Sequence, residues 1–349
     1  MSKSFNLSAL VRSNILSLAP YSSARSEFSG NASVWLDANE SPYNGPYNRY
    51  PDPLQKQVKE RLGAIKGVDA RRIFLGNGSD ECIDLVYRVF CEPHTDNVVA
   101  ISPSYGMYEV CADINAVAYR KVPLEADFGL EADALLAATD AHTKVIWICS
   151  PNNPTGNAFS AEAIEKVLSG FSGIVVVDEA YADFSSQPSM LTRLDVYPNL
   201  IVLQTFSKAW GSAGVRLGMA MASEEIVLLF NKVKYPYNVN VLTQEYALRH
   251  IDRMPEVEQW INSILSERSR LIAALDALPQ VVHIFASDAN FVLVLVVDAD
   301  GIYTHLQQQG IIVRNRNKVE KCLGCLRITV GTPEENNAVI NGIKSYDIK

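Results

Sequence analysis

A lysine just past an apolar run, an aspartate closing another, and a glycine turn opening a helix are the places where this sequence can do chemistry. The stretch Thr205-Phe206-Ser207-Lys208-Ala209-Trp210-Gly211-Ser212-Ala213-Gly214-Val215-Arg216-Leu217-Gly218 follows the β-rich run Leu200 to Leu203. A cation beside a buried strand needs a partner, and a desolvated amine is a nucleophile for carbonyl carbons. Val175-Val176-Val177 leads into Asp178-Glu179-Ala180-Tyr181. A carboxylate there is costly unless something cationic meets it. Gly76-Asn77-Gly78-Ser79-Asp80-Glu81 follows the strand-like Arg72-Ile73-Phe74-Leu75 and opens a helical run, Cys82 to Phe90. Free N–H groups and the positive end of the helix dipole make such a turn an anion site. The dinucleotide pattern G-x-G-x-x-G breaks at Glu81, so a phosphate fits better than a dinucleotide. Two further turns present polar groups: Ser150-Pro151-Asn152-Asn153-Pro154-Thr155-Gly156 offers an amide, and Ser102-Pro103-Ser104-Tyr105-Gly106 offers an aromatic ring.

Strands must hold these groups together. Val98 to Ile101, Val117 to Val122, Lys144 to Cys149, Ile174 to Val177, Leu200 to Leu203 and Leu217 to Met221 read as strands, several apolar throughout as expected of strands buried on both faces. Their alternation with helical runs predicts an α/β fold, a three-layer α/β/α large domain around a mostly parallel sheet. Ligands of such sheets sit outside the carboxyl ends of the strands. If the strands are parallel neighbours, the lysine, carboxylate, amide, aromatic ring and phosphate nest gather at one edge. Pyridoxal 5′-phosphate wants that set. A lysine condenses with its aldehyde, a carboxylate keeps its ring nitrogen protonated, an aromatic ring stacks on it, an amide and a phenol meet its ring hydroxyl, and helix N–H groups with a serine and an arginine hold its phosphate.

After about residue 242 the texture changes. A long helix is expected from Pro255 to Leu278, then strands Val281 to Phe285, Asn290 to Val297, Ile311 to Val313 and Leu326 to Val330, with a helix to Gln309 between them and a last helix from about Pro333. This predicts a smaller α+β domain. The large domain is expected over 43–242, and the small one over 1–42 and 243–349. Leu7, Leu10, Val11, Ile15 and Leu18 predict one amphipathic helix in the N-terminal arm, ended by Pro20. Asp37 to Pro53, rich in proline, asparagine and tyrosine, reads as a structured surface or interface segment.

The 349 residues are 48% hydrophobic and 20% charged. The net charge of −8 and pI of about 5.3, with no basic block, argue against nucleic acid or an anionic membrane as partner. No apolar run reaches membrane-spanning length, and no charged and apolar leader opens the sequence, so a cytoplasmic protein is expected. Six cysteines are scattered. The pair Cys322-Leu323-Gly324-Cys325 lacks the second pair or the fold context that a zinc or redox site needs. The histidines are dispersed and no metal site is expected.

Over nearly its whole length the chain resembles the fold-type I pyridoxal-phosphate aminotransferases. The family's N-P-T-G turn stands as Asn153-Pro154-Thr155-Gly156, its D-E-A-Y as Asp178 to Tyr181, and its S-K-x-x-x-x-x-G-x-R-x-G signature as Ser207, Lys208, Gly214, Arg216 and Gly218. Within them it looks most like the histidinol-phosphate aminotransferases. The stretches that carry this are Pro20-Tyr21 with Ser23-Ala24-Arg25, Arg49-Tyr50-Pro51, Ser104 to Tyr108, Ser287-Asp288-Ala289-Asn290-Phe291, and Gly324 to Thr332. The phosphate turn departs from the family's commoner Gly-Ala-Asp-Glu, reading Gly-Ser-Asp-Glu at Gly78 to Glu81.

The resemblance implies that Lys208 carries the cofactor and moves the proton, and that Asp178 pairs the ring nitrogen. It implies that Asn153 and Tyr181 bond the ring oxygen and that Tyr105 stacks on the ring. Gly78, Ser79, Asp80, Ser207 and Arg216 then form the phosphate nest. Tyr50 reaches the cofactor phosphate of a neighbouring subunit, which implies a homodimer. Arg327 grips the carboxylate of glutamate, Arg314 makes a second anion contact, and Tyr21 and Asn39 touch substrate. The activity implied is amino transfer between L-histidinol phosphate and 2-oxoglutarate. A threonine-phosphate decarboxylase and a broad-specificity aromatic aminotransferase share the same cofactor machinery, and a pyridoxal-phosphate-binding regulatory module or a nicotinamide dehydrogenase are the readings from other classes.

Overall fold

The computed structural model describes residues 5–21, 28, 30 and 32–348. Ser23-Ala24-Arg25 lie outside them. Strands β1 (Ile73–Asn77), β2 (Asn97–Ser102), β3 (Ala118–Pro123), β4 (Thr143–Cys149), β5 (Ile174–Asp178), β6 (Leu200–Thr205) and β7 (Leu217–Met221) form one sheet in the order β1-β7-β6-β5-β4-β2-β3. Only β7 runs against its neighbours, pairing antiparallel with both β1 and β6, while the other pairs are parallel. The six remaining strands therefore end at the same edge, and β7 begins there.

Strand periodicity sends successive residues to opposite faces, and the burial follows it. Ile146, Ile148, Val175, Val177, Leu200 and Val202 enter one apolar cluster. Val145, Trp147, Ile174, Val176, Ile201 and Leu203 enter another. Two covered faces explain why these strands read as unbroken apolar runs. Helices Ser79–Phe90, Met107–Ile114 and Glu224–Val233 supply one outer layer, and Lys56–Lys66, Ala132–Ala137, Ala161–Gly170 and Val241–Ile251 supply apolar side chains to the other. The fold is the expected α/β sandwich.

A second, antiparallel sheet joins β8 (Val281–Ile284), β9 (Phe291–Val296), β10 (Arg314–Asn315) and β11 (Cys325–Thr329) in the order β10-β11-β9-β8. Helices Met254–Asp276, Ala299–Gln308 and Pro333–Lys344 cover it through Leu271, Leu275, Ile302, Leu306, Val339 and Ile343. Thr332 and Glu335 close a reciprocal capping box on the last helix.

Three details differ from the sequence reading. The N-terminal arm forms two short helices, Leu7–Leu10 and Ser13–Ser17, rather than one. Arg12 breaks the run because its backbone N–H donates to Val89 O at 3.0 Å. The arm also packs on the large sheet's helices rather than on the small unit: Val11 and Ile15 join the cluster of Phe90 and Phe230. Finally, Ile311 to Val313 is not a strand; pairing begins at Arg314.

Candidate active site

Everything the sequence placed at strand ends lies at one edge. Lys208, Asp178, Tyr181, Asn153, Tyr105, Ser79, Asp80, Ser207, Arg216, Arg314 and Arg327 line a single cleft of about 670 Å³. Arg316, Cys149 and Met107 line it too.

At the β1 end, Gly78 carries a positive φ of 75° and caps helix Ser79–Phe90 without a side-chain hydrogen bond. The first amides of the helix are thereby left open. A Cβ at Gly78 meets Arg216 Nη2 at 2.4 Å, so only glycine lets the guanidinium lie over the turn. Gly218 in β7 lets the backbone itself approach, since a Cβ there would collide with Ser79 N and the Gly78 carbonyl. Arg216 itself sits in left-handed backbone at φ 56°, a conformation non-glycine residues rarely hold. Its guanidinium donates to Asp80 Oδ2 at 3.3 Å and Ser207 Oγ at 3.4 Å. Tyr105 donates its hydroxyl to Asp80 Oδ1 at 3.0 Å. Open amides, a serine hydroxyl and an arginine fork line the same part of the cleft, the set of groups a phosphate requires.

Asp178 is 2% exposed at the end of β5. Tyr108 donates its hydroxyl to Asp178 Oδ2 at 2.7 Å, and Ala180 N–H donates to Oδ1 at 3.0 Å. Burial pushes the carboxyl above its ordinary range, although both hydrogen bonds pull it back. Among the described residues no cation stands within ion-pair distance of it. Tyr108 is in turn fixed by stacking, its ring 4.8 Å from that of Trp147, which stacks on Tyr87 at 5.5 Å. Nothing in the sequence reading gave Tyr108 a role, although its stretch was noted. Only the fold shows that its hydroxyl reaches the strand two places away.

The Lys208 amine is half-buried, 5.4 Å from the centroid of the Tyr181 ring. Burial first, then the charge of Arg327, lowers its proton affinity against the opposing pull of Asp178. Such an amine is readier to act as nucleophile and base. Tyr181 is 7% exposed, and burial raises its phenol above the ordinary range. Asn153 Oδ1 accepts from Arg327 Nη1 at 2.5 Å, so the N-P-T-G turn and β11 meet through that bond. The same turn is bolted to the small unit a second time, where Asp288 N–H donates to Gly156 O at 2.8 Å.

The second anion region is a wall of guanidinium groups. Arg314 and Arg327 are partners across the β10–β11 ladder. Arg316 and Arg327 are half-buried, and the Nε of each is buried without a partner. Arg316 was missed by the sequence reading, which singled out only Arg314 and Arg327. The alternation of Arg314 and Arg316 was the available signal.

Tyr21, Asn39 and Tyr50 do not line the cleft. Tyr21 is 70% and Tyr50 50% exposed. Tyr50 stacks on Tyr237 with centroids 4.4 Å apart, and Asn39 is exposed with φ 54°. Cys322 and Cys325 are buried free thiols, and burial raises them to about 12 and about 11. Among the described residues no His, Cys, Asp and Glu group can hold a metal, and no helix is long and apolar enough to cross a membrane.

Comparison with known proteins gives the family and the fold. The model of the aminotransferase class I and II family matches residues 25–343. The histidinol-phosphate aminotransferase of Parabacteroides distasonis is 58% identical over 98% of this chain and 99% of its own length. That of Bacteroides fragilis is 58% identical over 97% of this chain and 99% of its own. Among solved structures, the histidinol-phosphate aminotransferase of Sinorhizobium meliloti in complex with pyridoxal-5′-phosphate superposes with a TM-score of 0.78 at 22% identity, covering 88% of each chain.

Proposed function

The chain belongs to the class I and II aminotransferases, and we propose that it moves the amino group between L-histidinol phosphate and 2-oxoglutarate, yielding imidazole acetol phosphate and L-glutamate, as a step of histidine biosynthesis. One observation carries this: a single cleft joins the Lys208 amine and the buried Asp178 carboxylate to a wall of arginines that form no ion pair among the described residues. The 58% identity to histidinol-phosphate aminotransferases supports the choice of substrate.

The residues fit pyridoxal phosphate. Asp178 is a buried carboxylate with no cation in ion-pair distance among the described residues, and a protonated ring nitrogen would supply one. Gly78, Ser79, Asp80, Ser207 and Arg216 would hold the phosphate, Asn153 and Tyr181 the ring oxygen, and Tyr105 the ring face. When bound, the group supplies an aldehyde that condenses with amines and a ring that draws electrons from the amine-bearing carbon.

The chain's own contribution is proton handling and orientation. Lys208 Nζ, with its proton affinity lowered by burial and Arg327, would take the proton from the amine-bearing carbon of the donor and hand it on to the cofactor, so that the donor carbon is left to become the carbonyl of the product. Asp178 would face the ring nitrogen; burial favours its protonated form, and Tyr108, the Ala180 amide and the ring's own positive charge would together hold it ionised. Arg327 holds the anionic group next to that carbon, and its bond to Asn153 sets its direction. A guanidinium fork binds carboxylate and phosphate alike, so one wall serves both glutamate and a phosphate monoester.

We assign the cofactor-binding unit to residues 43–242, with the arm laid on it. In the cytoplasmic homodimer of this reading, the exposed Tyr50 points to the partner's phosphate nest, and Tyr21 and Asn39 close over substrate. The half-reaction is the test. Holoenzyme mixed with histidinol phosphate alone should convert its bound cofactor to the amine form and release imidazole acetol phosphate. Conversion by free aromatic amino acids only would reject the substrate assignment.

A further inference from the structure

We propose that Arg316 is the second fork of a phosphate grip, working beside Arg327 to favour a dianionic phosphate monoester over a single carboxylate. The inference rests on the substrate reading above.

Arg314 and Arg316 are two residues apart on an extended segment and so share a face. Arg316 is tied to β11 because its backbone N–H donates to Cys325 O at 2.9 Å. All three arginines line the cleft. The Nε atoms of both Arg316 and Arg327 are buried and unpartnered. The acid nearest along this hairpin does not answer them: Glu320 accepts from Ser102 Oγ at 2.8 Å. Burial and the like charges of Arg327 and Arg314 depress Arg316 to about 10. Three guanidinium groups held together with no ion-pair partner among the described residues repel one another, and an uncompensated buried charge is costly. An anion that joins them relieves both costs.

The three positions are not equivalent. Arg327 is tied to the reacting end of the cleft: its Nη1 donates to Asn153 Oδ1 at 2.5 Å, and its guanidinium carbon lies 5.1 Å from the centroid of Phe291, whose ring is 5.2 Å from that of Tyr181, the ring beside the Lys208 amine. Arg316 is the residue after β10, and its Nε has no such partner. Arg327 therefore meets the anion nearest the reacting carbon, and Arg316 the part that extends beyond it. A carboxylate attached directly to that carbon carries one charge and is satisfied by Arg327. A phosphate monoester extends further and carries between one and two charges at neutral pH, roughly −1.5 to −2. Its extra charge and third oxygen fall to Arg316.

The test compares Arg316→Gln and Arg316→Lys with the unaltered holoenzyme. Three quantities are read: KM for histidinol phosphate, KM for glutamate, and the inhibition constant of inorganic phosphate against glutamate. Arg316→Gln should raise the first and the third by about 10- to 100-fold, the range of a lost charged hydrogen bond. The rise in the glutamate KM should be at least about fivefold smaller, and kcat should fall by less than KM rises. Arg316→Lys should recover most of the phosphate inhibition, because it keeps the charge and loses only the fork. Equal effects on both substrates, a loss confined to kcat, or unchanged phosphate inhibition would overturn the proposal. If Arg316→Gln does not fold, the lysine variant reads the same ratio with a smaller change. An unaltered enzyme inert toward histidinol phosphate would instead remove the substrate reading, and the phosphate inhibition constants would still decide for or against Arg316.

Discussion

The two anion regions of the cleft are built on opposite principles. At the phosphate nest the charges are already paired: Arg216 with Asp80, Asp80 with Tyr105. The nest hangs on the ends of β1 and β6 and the start of β7, at the edge of a sheet buried on both faces. At the arginine wall the cations form no ion pair among the described residues; Arg314 and Arg316 hang on a two-residue strand and the residue after it, and Arg327 on β11 beside them. A ligand that stays can be held by backbone amides and a net charge near zero. A ligand that must leave each turnover is better met by charge that the protein itself has left unanswered. The comparison teaches where the enzyme is committed and where it is adjustable: nest variants should damage every reaction, and variants of Arg314 and Arg316 in the wall should discriminate between substrates, whereas Arg327, which meets the anion of both, should not.

The largest effect belongs to the committed side. Lys208→Ala should lower kcat by about 10³-fold or more with every amino donor, since general acid–base assistance alone is worth about 10²–10⁴. Single-turnover measurement with histidinol phosphate and with glutamate would read it. A loss confined to one donor would break the distinction drawn above. Next comes Arg327→Gln. It removes a half-buried charge and leaves Asn153 Oδ1 without its donor, and kcat/KM should fall about 10- to 100-fold for both substrates.

Tyr108→Phe should have a smaller effect, about tenfold on kcat, by withdrawing one hydrogen bond from Asp178. The sign of its pH dependence follows from burial. The folded chain without cofactor holds the Asp178 proton more tightly than the unfolded chain does. That stabilisation is complete below the unfolded value, about 4, and is lost as pH rises through the raised folded value. Melting temperature of the cofactor-free protein should therefore fall across that window. Asp178→Asn should flatten the slope and Tyr108→Phe should move it to higher pH. A slope untouched by Asp178→Asn would show that another group sets it.

The sheet was legible because its strands are buried on both faces: Leu217 to Met221 was bounded to the residue, and the remaining strands of the large sheet to within a residue or two. The lysine, carboxylate, amide and phosphate turn were legible because each directly follows such a strand. Tyr108 was not, since its partner lies 70 residues away and the bond depends on how helix Met107–Ile114 leans on the sheet. The arm misled because its apolar spacing states only that one side is covered, not by what. Arg12, bonded to the neighbouring helix at Val89 O, Arg88 O and Glu92, splits it. The Arg316 signal was present in the alternation but carried no depth, and depth is what separates a surface arginine from an unanswered one.

The smallest effects lie outside both regions. Ile15→Ala, in the arm, should cost about 2–5 kcal/mol at most, visible as a lower melting temperature with kcat near that of the unaltered enzyme. Cys325→Ser should leave activity insensitive to oxidant and reductant, because the thiols are buried and held protonated.

The account stands on one amine and one carboxylate sharing a ligand. Reducing the holoenzyme with borohydride and mapping its peptides should place a single label on Lys208, and Asp178→Asn holoenzyme should bind the cofactor more weakly. Label at any other lysine, or no label in a cofactor-loaded protein, would contradict it.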